Sequence, residues 1–146
     1  KGATTIWERW NSIQPDGSIL EGMNSFNHYS YGAIGDWLYR SAVGIREAAP
    51  GFKKIVIQPH PGGGFDHMQA ATLTPYGRVA AKWTAEEEVL KTLEVEIPVN
   101  TTAEILVPAS VMEAVKNENG LKPVGYEAGY VKYLVGSGHY FFAVLP

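Results

Sequence analysis

The sequence predicts a mainly β fold, in which one or two helices precede a C-terminal antiparallel β-sandwich. Two observations support this. Residues 1–46 hold three of the four tryptophans, namely Trp7, Trp10 and Trp37, whereas the remainder is richer in Val, Ile and Thr, with Gly and Pro at regular intervals. Many short strands separated by Gly/Pro turns, with no helical stretch between them, are typical of an antiparallel sandwich.

The helical part is predicted over residues 27–45. Its apolar positions recur at three- and four-residue spacing, which forms one stripe along a helix: Ile34, Trp37, Leu38, Ser41 and Ile45. Pro50-Gly51 ends the segment, and the Pro-Asp-Gly-Ser run at 15–18 predicts a turn before it. Residues 4–10 fit either the end of another helix or a short extended stretch, since propensity does not distinguish the two.

The strands follow from residue 53 onwards. Alternation of Leu93, Val95 and Ile97 with two glutamates shows the period of a half-buried strand. Seven strands are predicted in this way: 53–58, 68–73, 78–84, 93–97, 103–107, 131–135 and 140–145.

Composition excludes several classes of function. The absence of cysteine excludes a disulfide framework and thiolate chemistry, and a net charge of −3 without a basic run disfavours nucleic-acid binding. His60, Asp66 and His67 match no common metal-site spacing, so we expect no metal and no cofactor. No apolar run approaches the ~20 residues of a membrane span. The chain starts without Met, which suggests part of a longer protein, and the compartment is undetermined.

The run Trp7-Glu8-Arg9-Trp10 is the strongest candidate for chemistry. Aromatic faces beside a carboxylate suit a sugar subsite, and the neighbouring arginine favours an ionised base. A packed helix with one salt bridge would give the same pattern. His28, at the predicted helix start, either reaches the same pocket or simply bonds to backbone.

Several longer motifs carry a family resemblance. The sequence closely resembles the end of the catalytic domain of bacterial α-L-rhamnosidases, strongly over residues 2–84 and diffusely beyond. The matching runs are GATTIWERWNS at 2–12, MNSFNHY at 23–29, YGAIGDWLY at 31–39, PGFK at 50–53, IQP at 57–59, PGGG at 61–64 and TPYGR at 74–78.

The resemblance implies an (α/α)6-barrel catalytic domain followed by a β-sandwich. Residues 1–46 would be the end of the barrel, and residues 47–146 the sandwich. The family cleaves terminal α-L-rhamnose with inversion. Glu8 matches the general base and His28 a residue that contacts rhamnose, while Trp7 and Trp10 would line or support the pocket. The general acid lies upstream in the family, so the 146-residue chain alone is expected to be inactive without its N-terminal catalytic partner.

Two alternatives concern the sandwich itself. It would act as a carbohydrate-binding module if Trp83, Tyr76 or Tyr130 were exposed on one sheet face. It would instead be structural if it buttressed the barrel, which is the role we favour. Apolar surface left uncovered in the isolated chain would then promote its self-association.

Overall fold

The computed structural model describes residues 2–22 and 24–146. Met23, which belongs to one of the motifs above, lies outside the described residues. The chain divides into two compact units, Lys1–Trp37 and Leu38–Pro146. Among the described residues, no helix is both long enough and apolar enough to cross a membrane.

The first unit is mostly irregular and ends in a short helix. A β-bridge joins Ile13 to Ile19 across the predicted turn. A 3-10 turn over Tyr29–Gly32 leads into helix α1, Ala33–Trp37. A π-helical turn, Leu38–Val43, continues the chain and opens the second unit.

The predicted helix over 27–45 is therefore too long, because Ile45 belongs to a strand rather than to a helical stripe. The chain changes course at Gly44, whose φ of +89° favours glycine. A Cβ at this position would lie 2.1 Å from the carbonyl oxygen of Gln58, so only glycine fits between the two segments.

Ten strands are described, and they form two five-stranded sheets. Their bounds are β1 Ile45–Glu47, β2 Lys54–Ile57, β3 His67–Thr74, β4 Gly77–Glu86, β5 Val89–Ile97, β6 Thr102–Pro108, β7 Val115–Asn117, β8 Gly125–Glu127, β9 Tyr130–Val135 and β10 Gly138–Val144. The first sheet has the order β1-β2-β6-β9-β8 and the second β3-β4-β5-β10-β7. The mainly β fold is confirmed.

One strand pair departs from the expected antiparallel arrangement. Strands β2 and β6 pair in parallel, with Ile55 opposite Ala103. The chain builds β3, β4 and β5 of the second sheet between them, so no tight hairpin turn forces the two strands to run in opposite directions.

The core lies between the inner faces of the two sheets. Alternate residues of the long strands are buried, as in β6, where Ala103, Ile105 and Val107 point inward. Tyr133 of the first sheet meets Phe142 of the second, with ring centroids 4.9 Å apart. One continuous apolar cluster therefore joins the two sheets into a sandwich.

Trp83 occupies the middle of this core. It is 0% exposed, and its indole Nε1 donates a hydrogen bond to the carbonyl oxygen of Ala42 at 3.0 Å. The idea that Trp83 offers an exposed face for a sugar is therefore wrong. Its position on the alternating strand β4 sets its side chain inward.

Candidate active-site segment

Two separate parts of the first unit lie side by side. The amide of His28 donates to the carbonyl oxygen of Ile6 at 2.7 Å, and the amide of Glu8 donates to that of Ser25 at 2.8 Å. The Thr5 hydroxyl also donates to the carbonyl oxygen of Phe26. Residues 4–10 are thus not helical, and the backbone brings Glu8 and His28 onto adjoining segments.

Glu8 is held by its carboxylate as well as by its backbone. The side chain is half-buried, and Oε2 accepts a hydrogen bond from the amide of Ser25 at 3.0 Å. Oε1 has no hydrogen-bond partner within residues 2–22 and 24–146. One oxygen therefore fixes the carboxylate while the other is available to accept a proton.

The sequence places Arg9 next to Glu8, where an ion pair between the two side chains would be possible. The Arg9 side chain is exposed, and within the described segments no ion pair joins it to Glu8. The backbone amide of Ser25, not the guanidinium, is the group that contacts the carboxylate.

His28 bonds to backbone through its amide, and its ring makes a separate contact. Its amide is bound to the backbone of Ile6, while its half-buried ring faces Tyr31, with centroids 4.9 Å apart and planes inclined by 48°. The backbone contact therefore anchors the residue and does not occupy the imidazole.

The two tryptophans have different surroundings. Trp7 is half-buried and meets Phe26 edge to face, with ring centroids 5.0 Å apart. Trp10 is 95% exposed. The structure therefore packs Trp7 against Phe26 and leaves the indole of Trp10 uncovered, which does not match the packed helix considered as an alternative.

The nearby carboxyl groups do not supply a partner for Glu8. Asp16 accepts hydrogen bonds from the amide and the hydroxyl of Ser18, at 2.9 and 2.7 Å. These bonds lower the pKa of Asp16, so its carboxyl group is poorly suited to donate a proton. Glu21 and Asp36 are exposed, and no carboxyl group among the described residues contacts Glu8.

The residues considered as metal ligands or as a sugar platform have the following surroundings in the described part of the chain. Residues 2–22 and 24–146 contain no cluster of three or more His, Asp or Glu that could hold a metal ion. The Lys53 ammonium lies over the ring of Tyr76, 4.9 Å from its centroid. Tyr130 is half-buried and meets His60 edge to face at 6.1 Å.

Two family models match the chain in succession. The bacterial alpha-L-rhamnosidase 6 hairpin glycosidase domain matches residues 1–42. The bacterial alpha-L-rhamnosidase C-terminal domain matches residues 44–122, which is more than half of the chain. The change from one model to the next falls beside Gly44, where the helical segment gives way to β1.

Individual relatives agree with these matches. The chain is 41% identical to an alpha-L-rhamnosidase of Streptomyces avermitilis over 145 residues, which are 99% of the chain and 14% of the relative. It is 45% identical to one of Formosa agariphila over 150 residues, with 97% and 16% covered.

Solved structures show the same relationship in three dimensions. The crystal structure of Streptomyces avermitilis alpha-L-rhamnosidase complexed with L-rhamnose matches 98% of the chain and 14% of that protein, with a TM-score of 0.80 at 40% identity. The alpha-L-rhamnosidase from Dictyoglumus thermophilum matches 99% of the chain and 16% of that protein, with a TM-score of 0.77 at 34% identity. The chain thus spans only 14–16% of the length of these relatives, and it belongs to the bacterial α-L-rhamnosidases as their C-terminal part.

Proposed function

We propose that this chain is the C-terminal part of an enzyme that hydrolyses terminal α-L-rhamnose from glycosides or polysaccharides with inversion. Glu8 is the general base, His28 contacts the sugar, and Trp7 and Trp10 line or support the pocket. The observation that carries the proposal is the hydrogen bond that the amide of Ser25 donates to Oε2 of Glu8, because it fixes the carboxylate and leaves Oε1 available.

The chemistry assigned to Glu8 is the activation of water. Inverting glycosidases separate their two carboxyl groups by roughly 6.5–9.5 Å, which leaves room for a water molecule on the face opposite the leaving group. Oε1 of Glu8 takes a proton from this water as its oxygen attacks the anomeric carbon. A carboxylic acid outside residues 1–146 protonates the leaving oxygen.

We place the border between the catalytic domain and the sandwich domain after residue 46. Residues 1–46 form the end of the (α/α)6-barrel catalytic domain, and residues 47–146 form the sandwich domain. Residues 38–46 connect the two and pack on the sandwich, since the carbonyl oxygen of Ala42 accepts the indole hydrogen bond of Trp83 and β1 pairs with β2.

The sandwich serves as a structural support of the catalytic domain. Its central tryptophan is buried rather than offered to a ligand. Among its described residues, the short first unit has seven large apolar side chains exposed: Ile6, Trp10, Ile19, Tyr29, Tyr31, Ile34 and Trp37. Apolar surface of this kind requires a partner, and the rest of the catalytic domain is the partner we propose.

The direct test is the activity of the purified 146-residue chain on an aryl α-L-rhamnoside. We expect no release of the aryl alcohol above the buffer blank, because the chain supplies a base without an acid, and removal of either group typically costs ~10²–10⁴-fold. The complete rhamnosidase containing residues 1–146 is the positive control. Turnover by the isolated chain near that of the complete enzyme would contradict the proposal.

A further inference from the structure

Tyr31 is the described residue whose side chain contacts both Glu8 and His28. Its ring lies 4.9 Å from the imidazole of His28, centroid to centroid. Its hydroxyl donates a long hydrogen bond of 3.4 Å to the backbone carbonyl oxygen of Glu8. We infer that Tyr31 is a positioning residue that fixes the relative orientation of the base and the sugar-binding histidine, an inference that rests on the proposed function.

Local backbone geometry explains how these side chains meet. His28 immediately precedes the 3-10 turn of Tyr29–Gly32, and the amide of Tyr31 donates to the carbonyl oxygen of His28 at 3.4 Å. The turn brings the chain back towards His28 and sets the two rings next to each other, inclined by 48°. The backbone bond from His28 to Ile6 then brings this pair alongside the segment that carries Glu8.

The environment of Tyr31 argues against a role in the core. The residue is 55% exposed and lies outside the buried cluster of the sandwich. Tyr29, two residues away, is 86% exposed, and in the described chain its ring and hydroxyl have no partner. Both tyrosines lie in the same 3-10 turn, but the side chain of Tyr31 contacts His28 and Glu8 whereas that of Tyr29 contacts neither. Tyr29 is therefore a matched control for Tyr31.

The imidazole, in contrast, depends on Tyr31 for its orientation. The backbone bond to Ile6 fixes the main chain of His28 and leaves rotation about its side-chain bonds free. The ring of Tyr31 packs against one side of the imidazole and limits that rotation. Loss of the ring should therefore weaken sugar binding, whereas loss of the hydroxyl should affect only the placement of Glu8.

The test compares Tyr31→Phe, Tyr31→Leu, Tyr29→Phe and Tyr29→Leu in the complete rhamnosidase containing residues 1–146. For Tyr31→Phe we expect kcat to fall about threefold with KM unchanged, the size of one weak hydrogen bond. For Tyr31→Leu we expect the same fall in kcat and, in addition, a rise in KM of about tenfold or less, the upper end for one aromatic contact. Both Tyr29 variants should keep the kcat and KM of the unsubstituted enzyme even where they lower its thermal stability, because Tyr29 belongs to the apolar surface that we propose the catalytic domain covers.

The outcomes separate the inference from the proposed function. Wild-type kcat and KM in both Tyr31 variants would overturn the inference, as would equal losses in the Tyr29 and Tyr31 pairs. If Tyr31→Leu fails to fold, as judged by its thermal melting, the kcat of Tyr31→Phe decides. Glu8→Gln is assayed alongside: full turnover in that variant would refute the proposed function itself, whereas a large loss there with unaltered Tyr31 variants would refute the inference alone.

Discussion

Replacement of Glu8 by glutamine in the complete rhamnosidase is expected to reduce kcat by about 10²–10⁴-fold, the contribution of one general base. Glutamine has the same length, and its side-chain oxygen can accept the amide hydrogen bond that Ser25 donates to Oε2. The substitution therefore removes the ability to take a proton from water while it preserves the local backbone. Hydrolysis of an aryl α-L-rhamnoside gives kcat, and calorimetric titration with rhamnose gives sugar binding.

A matched control is available thirteen residues away. Glu21 is exposed and, in the described part of the chain, its carboxylate has no hydrogen-bond or ion-pair partner. Glu21→Gln should keep both kcat and rhamnose affinity. Turnover of Glu8→Gln within a few-fold of the unsubstituted enzyme would contradict the role of Glu8 as base. Loss of rhamnose binding together with turnover would point to damage to the pocket instead.

Replacement of Trp83 by alanine is expected to cost about 3–5 kcal/mol in free energy of unfolding, the range for deletion of a buried aromatic side chain. The indole is fully buried between the sheets, and the change also removes the hydrogen bond to the carbonyl oxygen of Ala42. Urea unfolding of the 146-residue chain, followed by circular dichroism of the strands, measures the difference.

The outward-facing Leu73 provides the comparison, because it lies on β3 beside β4 and is 84% exposed. Leu73→Ala should change the free energy of unfolding by no more than about 0.5 kcal/mol. Should Trp83→Ala not fold, Trp83→Phe, which retains most of the apolar volume, should show a smaller loss. A loss below about 1 kcal/mol for Trp83→Ala would show that the core does not depend on this residue.

The strands of the sandwich were predictable because burial alternates along them. Leu93, Val95 and Ile97 are buried as the period-two pattern indicates. The three strands that the sequence did not reveal, β1, β7 and β8, have only three residues each, which is too short for a period to be recognised. Their pairing depends on neighbours that are distant in the sequence.

The end of the helical segment could not be predicted from the spacing of apolar residues. Ile45 fits the helical spacing by coincidence and pairs with Ile57 in the first sheet. The close approach of Gly44 to Gln58 that ends the helix is a tertiary contact, and a single glycine gives no signal of it. Trp83 shares its strand face with Val79 and Ala81, which are also buried, so the sugar-platform alternative fails at this residue.

The residues proposed for the candidate site come from the sequence, whereas their arrangement is visible only in the structure. Family motifs singled out Glu8 and His28, whose roles remain predictions. The backbone pairing that joins their segments could not be anticipated, because residues 4–10 have no decisive propensity. The contacts of Ser25 and Tyr31 with Glu8 also span 17 and 23 positions. The H-x-x-Y spacing at a helix start was the one signal for Tyr31.

The anomer of rhamnose that the complete enzyme releases first tests the central claim most directly. Attack by water activated by Glu8, on the face opposite the leaving group, inverts the anomeric carbon. Proton NMR during the first minutes of hydrolysis of an aryl α-L-rhamnoside should therefore show β-L-rhamnose before mutarotation sets in. Initial appearance of α-L-rhamnose would mean retention and would contradict the assignment of Glu8 as a base that activates water.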